Sequence, residues 1–235
     1  MRVIETLRTF MTPLDGMALL VFLVSVFGYG SFISSSLAAK RSNLVGAIQL
    51  QRLQWMLNMS RRHERAVDVI LMNSLGQGNA FFASTTAIAI GGVAALLGSG
   101  ERAQVILEKL PLVAHTGSVL WECKLLLIMT IFVFAFFKFA WAFRLSHYAT
   151  IMIGATPNLT DSNQGDCEAH ATRTAGLIGL AADHANSGLR SFYYAFAALA
   201  WFVHPIAFLI ATLWVLIILI RRDYFSRSRR LIASA

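Results

Sequence analysis

Charged residues are scarce in this 235-residue chain. Asp, Glu, Lys and Arg together make up 14% of it, against about a quarter in an ordinary soluble domain. The deficit is concentrated in a few long stretches, which places the chain among membrane proteins. Cysteine is rarer still: Cys123 and Cys167 are the two present, and without a CxxC or a paired spacing they exclude a disulfide framework. Acidic residues are outnumbered, 12 against 20 Lys and Arg, for a formal net charge of +8. A nucleic-acid partner would want a basic soluble domain with interleaved aromatics, and no such domain exists. The positive excess reflects topology and attraction to anionic lipid headgroups. The GxSxG, HExxH, Walker and GxGxxG patterns are all missing, so no catalytic residue, cofactor or metal is assigned. Internal repeats and low-complexity linkers are absent as well.

What is present is four long apolar runs, at about 14–33, 80–99, 118–143 and 192–220. Each can cross a hydrocarbon core of about 30 Å at roughly 1.5 Å per helical residue. Barrel strands would be runs of about ten residues alternating in polarity; these runs are longer and apolar on all sides. The expected fold is all-α, a polytopic helical membrane protein forming a single integral domain over residues 1–235. Arg2 and Arg8 ahead of the first run suit a signal anchor, retained as a true first helix. Pro13 fits a first helical turn, and Asp15 is favoured there by the helix dipole.

The connections carry helices of their own. In residues 34–79, apolar positions such as Val45, Ile48, Met56 and Met59 recur at helical spacing among basic residues. The segment reads as amphipathic helices that lie on the membrane surface or extend the second span. Within RRHER (61–65), Arg61–Glu64 and Arg65–Asp68 are spaced i,i+3, as on a solvated helical face. The third connection reads as a turn at Thr156-Pro157-Asn158, followed by a small-residue helix over about 166–188. There Ala171, Ala175 and Gly179, four apart, would admit a close helix. With four crossings, the termini and second connection carry nine Lys and Arg, and the other side carries nine. Charges abutting the spans favour cytoplasmic termini.

Ala83, Ala87, Gly91 and Ala95 recur every four residues along the second span, beside Ser84, Thr85 and Thr86. Because lipid tails are as apolar as Leu, helices in bilayers associate by close packing and interhelical hydrogen bonds. The stripe therefore signals packing, within one subunit or between subunits. In the third span, Glu122, Lys124 and Lys138 are candidate functional groups, as intramembrane charges are by default, with Arg144 at its end. Lys124 and Lys138 are about 21 Å apart along a helix, close enough to the two boundaries to snorkel. Glu122 and Lys124 do not face one another. His204-Pro205 lies inside the fourth run. Pro205 should kink that helix and free the carbonyl of Trp201. His204 then has several readings: an interhelical hydrogen bond, a proton relay, a metal site or a haem ligand. Asp166, Cys167, Glu168 and His170, and separately Asp183 and His184, are tempting groupings without a recognised metal spacing.

Four stretches together, QLQRLQWMLNMSRR (49–62) with Asp68, FFASTT (81–86), ECKLLLIMTIFVFAFFKFAWAFR (122–144) and SGLRSFYYAFAALAWFVHP (187–205), resemble family 599 of the domains of unknown function. That is a bacterial and plant family of multi-span membrane proteins. The resemblance covers roughly residues 15–222 and implies a helical integral membrane fold without supplying an activity. Its recurrent polar positions map to Arg52, Asp68, Ser84, Thr85, Glu122, Lys138, Arg144, Arg190 and His204. The expectation is a multi-pass protein of the bacterial inner membrane that is not an enzyme. It would self-associate or join a larger complex, with membrane lipids as its other partners. A small ion or solute channel, lined by Glu122, Lys138, Arg144 and the His204 helix, is the alternative.

Overall fold

The computed structural model describes residues 11–35, 44–109, 117–160, 162–225, 227 and 231–232. Arg2, Arg8, Lys40, Arg41, Pro111, Arg229 and Arg230 lie outside the described residues. Among the described residues seven helices follow one another: α1 (Pro13–Ser35), α2 (Leu44–Ser60), α3 (Ala66–Gly98), α4 (Glu101–Glu108), α5 (Ser118–Gly154), α6 (Gln164–Val203) and α7 (Pro205–Tyr224). No strand occurs among the described residues. Four helices, α1, α3, α5 and α7, are long and apolar enough to cross a membrane. Large apolar side chains such as Phe27, Ile88, Phe137 and Trp214 project outward from them.

The helix limits extend the sequence reading in two places and correct it in one. The helix of the second span starts at Ala66, one of the two arrangements expected for that connection, because Asn73, Ser74, Gln77 and Asn79 lower hydropathy without breaking a helix. α5 runs on to Gly154 for the same reason. The run 192–220 is not one kinked helix: its first part ends α6, and a new helix begins at Pro205.

The chain divides into two compact units. Unit one draws on Met1–Ala38, Thr86–Phe134 and Arg190–Arg221; unit two draws on Ala39–Thr85, Ala135–Leu189 and Arg222–Ala235. In unit one, α1 opens with a reciprocal cap. The Asp15 amide donates to Thr12 Oγ1 at 3.2 Å, and the Thr12 amide donates to Asp15 Oδ2 at 3.2 Å. This is a capping box with Asp in the usual Glu position. Gly100, at φ +60°, takes the left-handed conformation that turns the chain from α3 into α4. The core centres on Phe22, Leu125, Ile128, Trp201 and Phe208. Phe22 meets Tyr194 edge-on at 5.6 Å, and Phe208 stacks on Trp201 at 5.0 Å. Tyr194 Oη and Ser25 Oγ share a buried hydrogen bond of 3.0 Å.

In unit two, the connection 34–79 was expected to hold amphipathic helices on the membrane surface or extending the second span; the stretch from Ala66 does extend that span as part of α3, but α2 does neither. It is packed into the protein instead. Met56 and Met59 are fully buried with Met72, Ala149, Ile153, Ala171 and Ala175. The small residues of α6 allow this approach. Gln49 lies so close to Gly179 that any β-carbon there would collide with its carboxamide. Gln49 Nε2 also donates to the Ala175 carbonyl at 3.1 Å. Residues 61–65 form the turn between α2 and α3 rather than a charged helical face.

Candidate functional site

In unit one the site grows from the break at Pro205. Proline has no amide hydrogen, so the Trp201 carbonyl, four residues earlier, loses its helical donor. Lys124 supplies one: its Nζ donates to Trp201 O at 3.0 Å. The same ammonium lies 5.4 Å from the centroid of the Trp201 ring and 5.8 Å from that of Phe202, within cation–π range. Lys124 is 1% exposed, so the snorkelling reading is corrected. The ammonium has a fixed acceptor and two aromatic faces inside the protein, and the stem has no cause to reach for water. Trp201 extends the chain of contacts by donating its indole Nε1–H to Asp15 Oδ1 at 2.7 Å. Asp15, Trp201 and Lys124 thus join α1, α6 and α5 within this unit.

His204 sits at the break, and its role follows from geometry. The Ile206 amide donates to His204 Nδ1 at 3.2 Å. His204 is therefore the N-cap of α7, with Pro205 in the first helical position where its missing amide is harmless. The side chain bonds its own helix rather than a neighbour, and the residue is exposed. Glu122 and Cys123 are exposed too, and among the described residues no ion pair engages Glu122.

Unit two holds three polar groupings. The first is the α2–α3 turn. Asp68, 1% exposed, accepts from Trp55 Nε1 at 2.7 Å and from Arg62 at 2.9 Å, both on Oδ1. Its Oδ2 is buried without a partner. Arg65 donates to the carbonyls of Thr156 and Pro157, and Arg61 pairs with Glu168 at 3.3 Å. The i,i+3 pairings expected for Arg61 and Arg65 do not form, because the backbone turns there and sends Arg61 to Glu168 near the start of α6 and Arg65 to the α5–α6 connection.

The second grouping is a small cleft of about 50 Å³ between α3 and α5, lined by Asn73, Gln77, Ser146, His147 and Thr150 among others. Arg144, exposed one turn before Tyr148, donates from Nε to the Tyr148 hydroxyl at 3.2 Å.

The third gathers Arg52, Lys138, Asp183 and His184. Arg52 donates to Gln49 Oε1 at 3.2 Å. Burial lowers its pKa, against the attraction of Asp183. The His184 imidazole is held below its ordinary value by burial first and Lys138 second, with Asp183 acting the other way. These four residues are half-buried. The sequence had singled out Arg52, Lys138 and the Asp183–His184 pair, but separately. Gln49, which fixes Arg52, carried no signal beyond its place one turn before it.

The residues considered for metal scatter. Cys167 is buried with its thiol near Asn163 Oδ1 and the Pro157 carbonyl. His170 Nε2 bonds the Met152 carbonyl at 2.8 Å, and Glu168 is taken by Arg61. Among the described residues no three of His, Cys, Asp and Glu converge as a metal site.

The two small-residue stripes diverge. Ala171 and Ala175 are buried, whereas Ala87, Gly91 and Ala95 are exposed and Ala83 is half-buried. A β-carbon placed on Gly91 would meet nothing within 4 Å.

Residues 17–228 match the family described as "Protein of unknown function, DUF599". The match covers nearly the whole chain, and the chain belongs to that family. No curated protein and no solved structure matches it.

Proposed function

We propose that this member of an uncharacterised family is a non-catalytic integral membrane protein that acts by association. It joins copies of itself or serves as a subunit of a larger complex in the bacterial inner membrane, with both termini cytoplasmic and anionic lipid around its basic ends. The observation that carries this reading is the outward face of α3. Ser84, Ala87, Gly91 and Ala95 are all exposed along an apolar helix, and among the described residues nothing lies within 4 Å of a β-carbon placed on Gly91. Small-residue faces let helix backbones approach closely, and that approach is what drives association where lipid removes the hydrophobic advantage. The comparable face of α6 is fully used by α2, which shows how this sequence employs such a spacing when a partner is at hand. The channel alternative has less support: Glu122 and Arg144 are exposed and His204 caps its own helix.

The test is native mass measurement and crosslinking of the detergent-solubilised chain beside Gly91→Leu and Ala87→Leu. The expected result is an assembly in the parent and at least about tenfold weaker association in each variant, about 1.4 kcal/mol, with helicity unchanged. A monomeric parent at membrane-like concentration, or variants that assemble normally, would overturn the proposal.

A further inference from the structure

α3 and α5 are both longer than a hydrocarbon core requires. They have 33 and 37 residues, about 50 Å and 55 Å of helix against a core of about 30 Å. The surplus falls where their polar residues gather. Asn73, Ser74, Gln77 and Asn79 precede the apolar run of α3, and Arg144, Ser146, His147 and Thr150 follow that of α5. In unit two these polar ends lie side by side: a β-carbon on Gly76 would come within 3.4 Å of Ser146 Cβ. Trp141 and Tyr148 are exposed on α5, one turn to either side of Arg144, as aromatic side chains are at a membrane–water boundary. Residues 73–77 and 146–150 both lie just outside the apolar runs at about 80–99 and 118–143. The cleft they line is therefore about 5–10 Å beyond the hydrocarbon, at the depth of lipid headgroups.

That cleft is about 50 Å³. A water molecule needs about 10–15 Å³ of such space, so there is room for about four waters or a polar fragment of similar size. The buried Met72, Gly76 and Ser146 form its floor. Ser146 Oγ donates to the Ala142 carbonyl at 2.9 Å, and Thr150 Oγ1 to the Ser146 carbonyl at 3.0 Å. Asn73, Gln77 and His147 differ. They face the space from the two helices, and among the described residues none of them makes a side-chain hydrogen bond. The Phe143 ring meets the His147 imidazole edge-on at 4.7 Å. No Asp, Glu, Lys or Arg lines the cleft among the described residues.

We propose that this cleft binds the vicinal diol of a glycerol headgroup, that of a phosphatidylglycerol in the surrounding leaflet. A carboxamide both donates and accepts hydrogen bonds, and so does an imidazole in its neutral form. An amine headgroup would meet no carboxylate here. A phosphate placed inside would oppose the two carboxamide oxygens with no proton to give them. A diol serves all three side chains without bringing charge into the cleft, because each hydroxyl donates one hydrogen bond and accepts others. Asn73 and Gln77 are one turn apart, about 6 Å along α3, so adjacent hydroxyls seated between them reach both. Met72 and Phe143 offer apolar contact to the carbon side of the diol. The phosphodiester stays outside, at the level of Arg144. That residue is exposed, and beyond its contacts with Tyr148 its guanidinium is free. The site belongs to a single chain and does not depend on the association proposed for the face further along α3.

The experiment uses the full chain in a polyoxyethylene detergent, which carries no vicinal diol, with thermal unfolding followed by tryptophan fluorescence. Short-chain phosphatidylglycerol is titrated beside phosphatidylpropanol, a phosphodiester whose headgroup has the same carbon count and no free hydroxyl. Phosphatidylglycerol should raise the midpoint saturably, with half-saturation at least about tenfold below that of phosphatidylpropanol, the ratio expected from one net hydrogen bond. Asn73→Leu and Gln77→Met should each remove this preference and leave the response to phosphatidylpropanol in place, a result that no loss of folding produces. Free glycerol is added as a competitor and should displace the lipid only in large excess. The proposal is overturned if the two lipids act equally on the parent, or if both substitutions leave the preference intact. Glycerol that competes at the lipid's own concentration assigns the diol to a free polyol and overturns the lipid assignment. The oligomeric state of the parent, measured separately, bears on association alone.

Discussion

If Lys124 substitutes for the amide that Pro205 lacks, its value to the fold depends on that proline, and a double-mutant cycle will show it. The Nζ lies 3.0 Å from the Trp201 carbonyl and within 5.8 Å of two ring centroids. A hydrogen bond from a charged donor contributes about 1.5–3 kcal/mol net, and a desolvated cation–π contact about 2 kcal/mol. Against these stands the desolvation of a buried ammonium, several kcal/mol by itself. Methionine fills most of the stem but leaves the Trp201 carbonyl buried and unserved. We expect Lys124→Met to destabilise the protein by about 2 kcal/mol, the middle of the range for an orphaned buried acceptor. In Pro205→Ala the amide of residue 205 can close the helical bond to Trp201, and the loss of Lys124 should then cost about 1.5 kcal/mol less. The assay is equilibrium unfolding in mixed detergent micelles, followed by tryptophan fluorescence, on the parent, both single variants and the double variant. Equal costs of Lys124→Met in the two backgrounds, within about 0.5 kcal/mol, would refute the reasoning.

Three further outcomes are expected. Gly188→Ala should lower stability by about 1–3 kcal/mol, the range for overpacking a tight contact, because the new β-carbon meets the Phe139 ring; Phe139→Leu in the same chain should recover part of it in the same unfolding assay. His184, held below its ordinary value of 6.5, is stabilising while neutral. Its contribution is complete above about pH 6.5 and is lost as pH falls through the depressed folded value, since the unfolded chain takes up the proton first; in unfolding measured between about pH 5 and 7, His184→Gln should remove that part of the slope. Asp68→Ala should cost about 1–3 kcal/mol, the range for a hydrogen-bond donor left without its buried acceptor, since it strands the Trp55 indole while the half-exposed Arg62 turns to water; unfolding midpoints beside those of the conservative Trp55→Phe will separate the two partners.

Much of the fold was legible because lipid imposes coarse rules. A run of twenty apolar residues reads the same whatever it packs against, and four such runs gave four apolar helices. The freed carbonyl of Trp201 was legible too, since proline chemistry is local. What took the carbonyl was not: Lys124 lies 77 residues away, and its position along α5 suited snorkelling equally well. The stripes at Ala171–Ala175–Gly179 and Ala83–Ala87–Gly91–Ala95 have the same spacing, yet the first is buried at all three positions while Ala87, Gly91 and Ala95 of the second are exposed. Spacing states that a helix face is narrow; it does not state what arrives there. The Arg52–Asp183–His184–Lys138 group was hidden for the same reason, its members coming from three helices with no shared motif.

The bond between the Trp201 indole and Asp15 spans 186 positions of sequence. At a synthesis rate of about 5–20 residues per second, roughly ten to forty seconds separate the emergence of the two residues from the ribosome. Throughout that interval the first helix carries a carboxylate whose only settled partner is Thr12, next to it in the chain. α1 therefore emerges with this contact unmade and gains it only when Trp201, near the end of α6, arrives, so truncation before Trp201 should leave α1 without it.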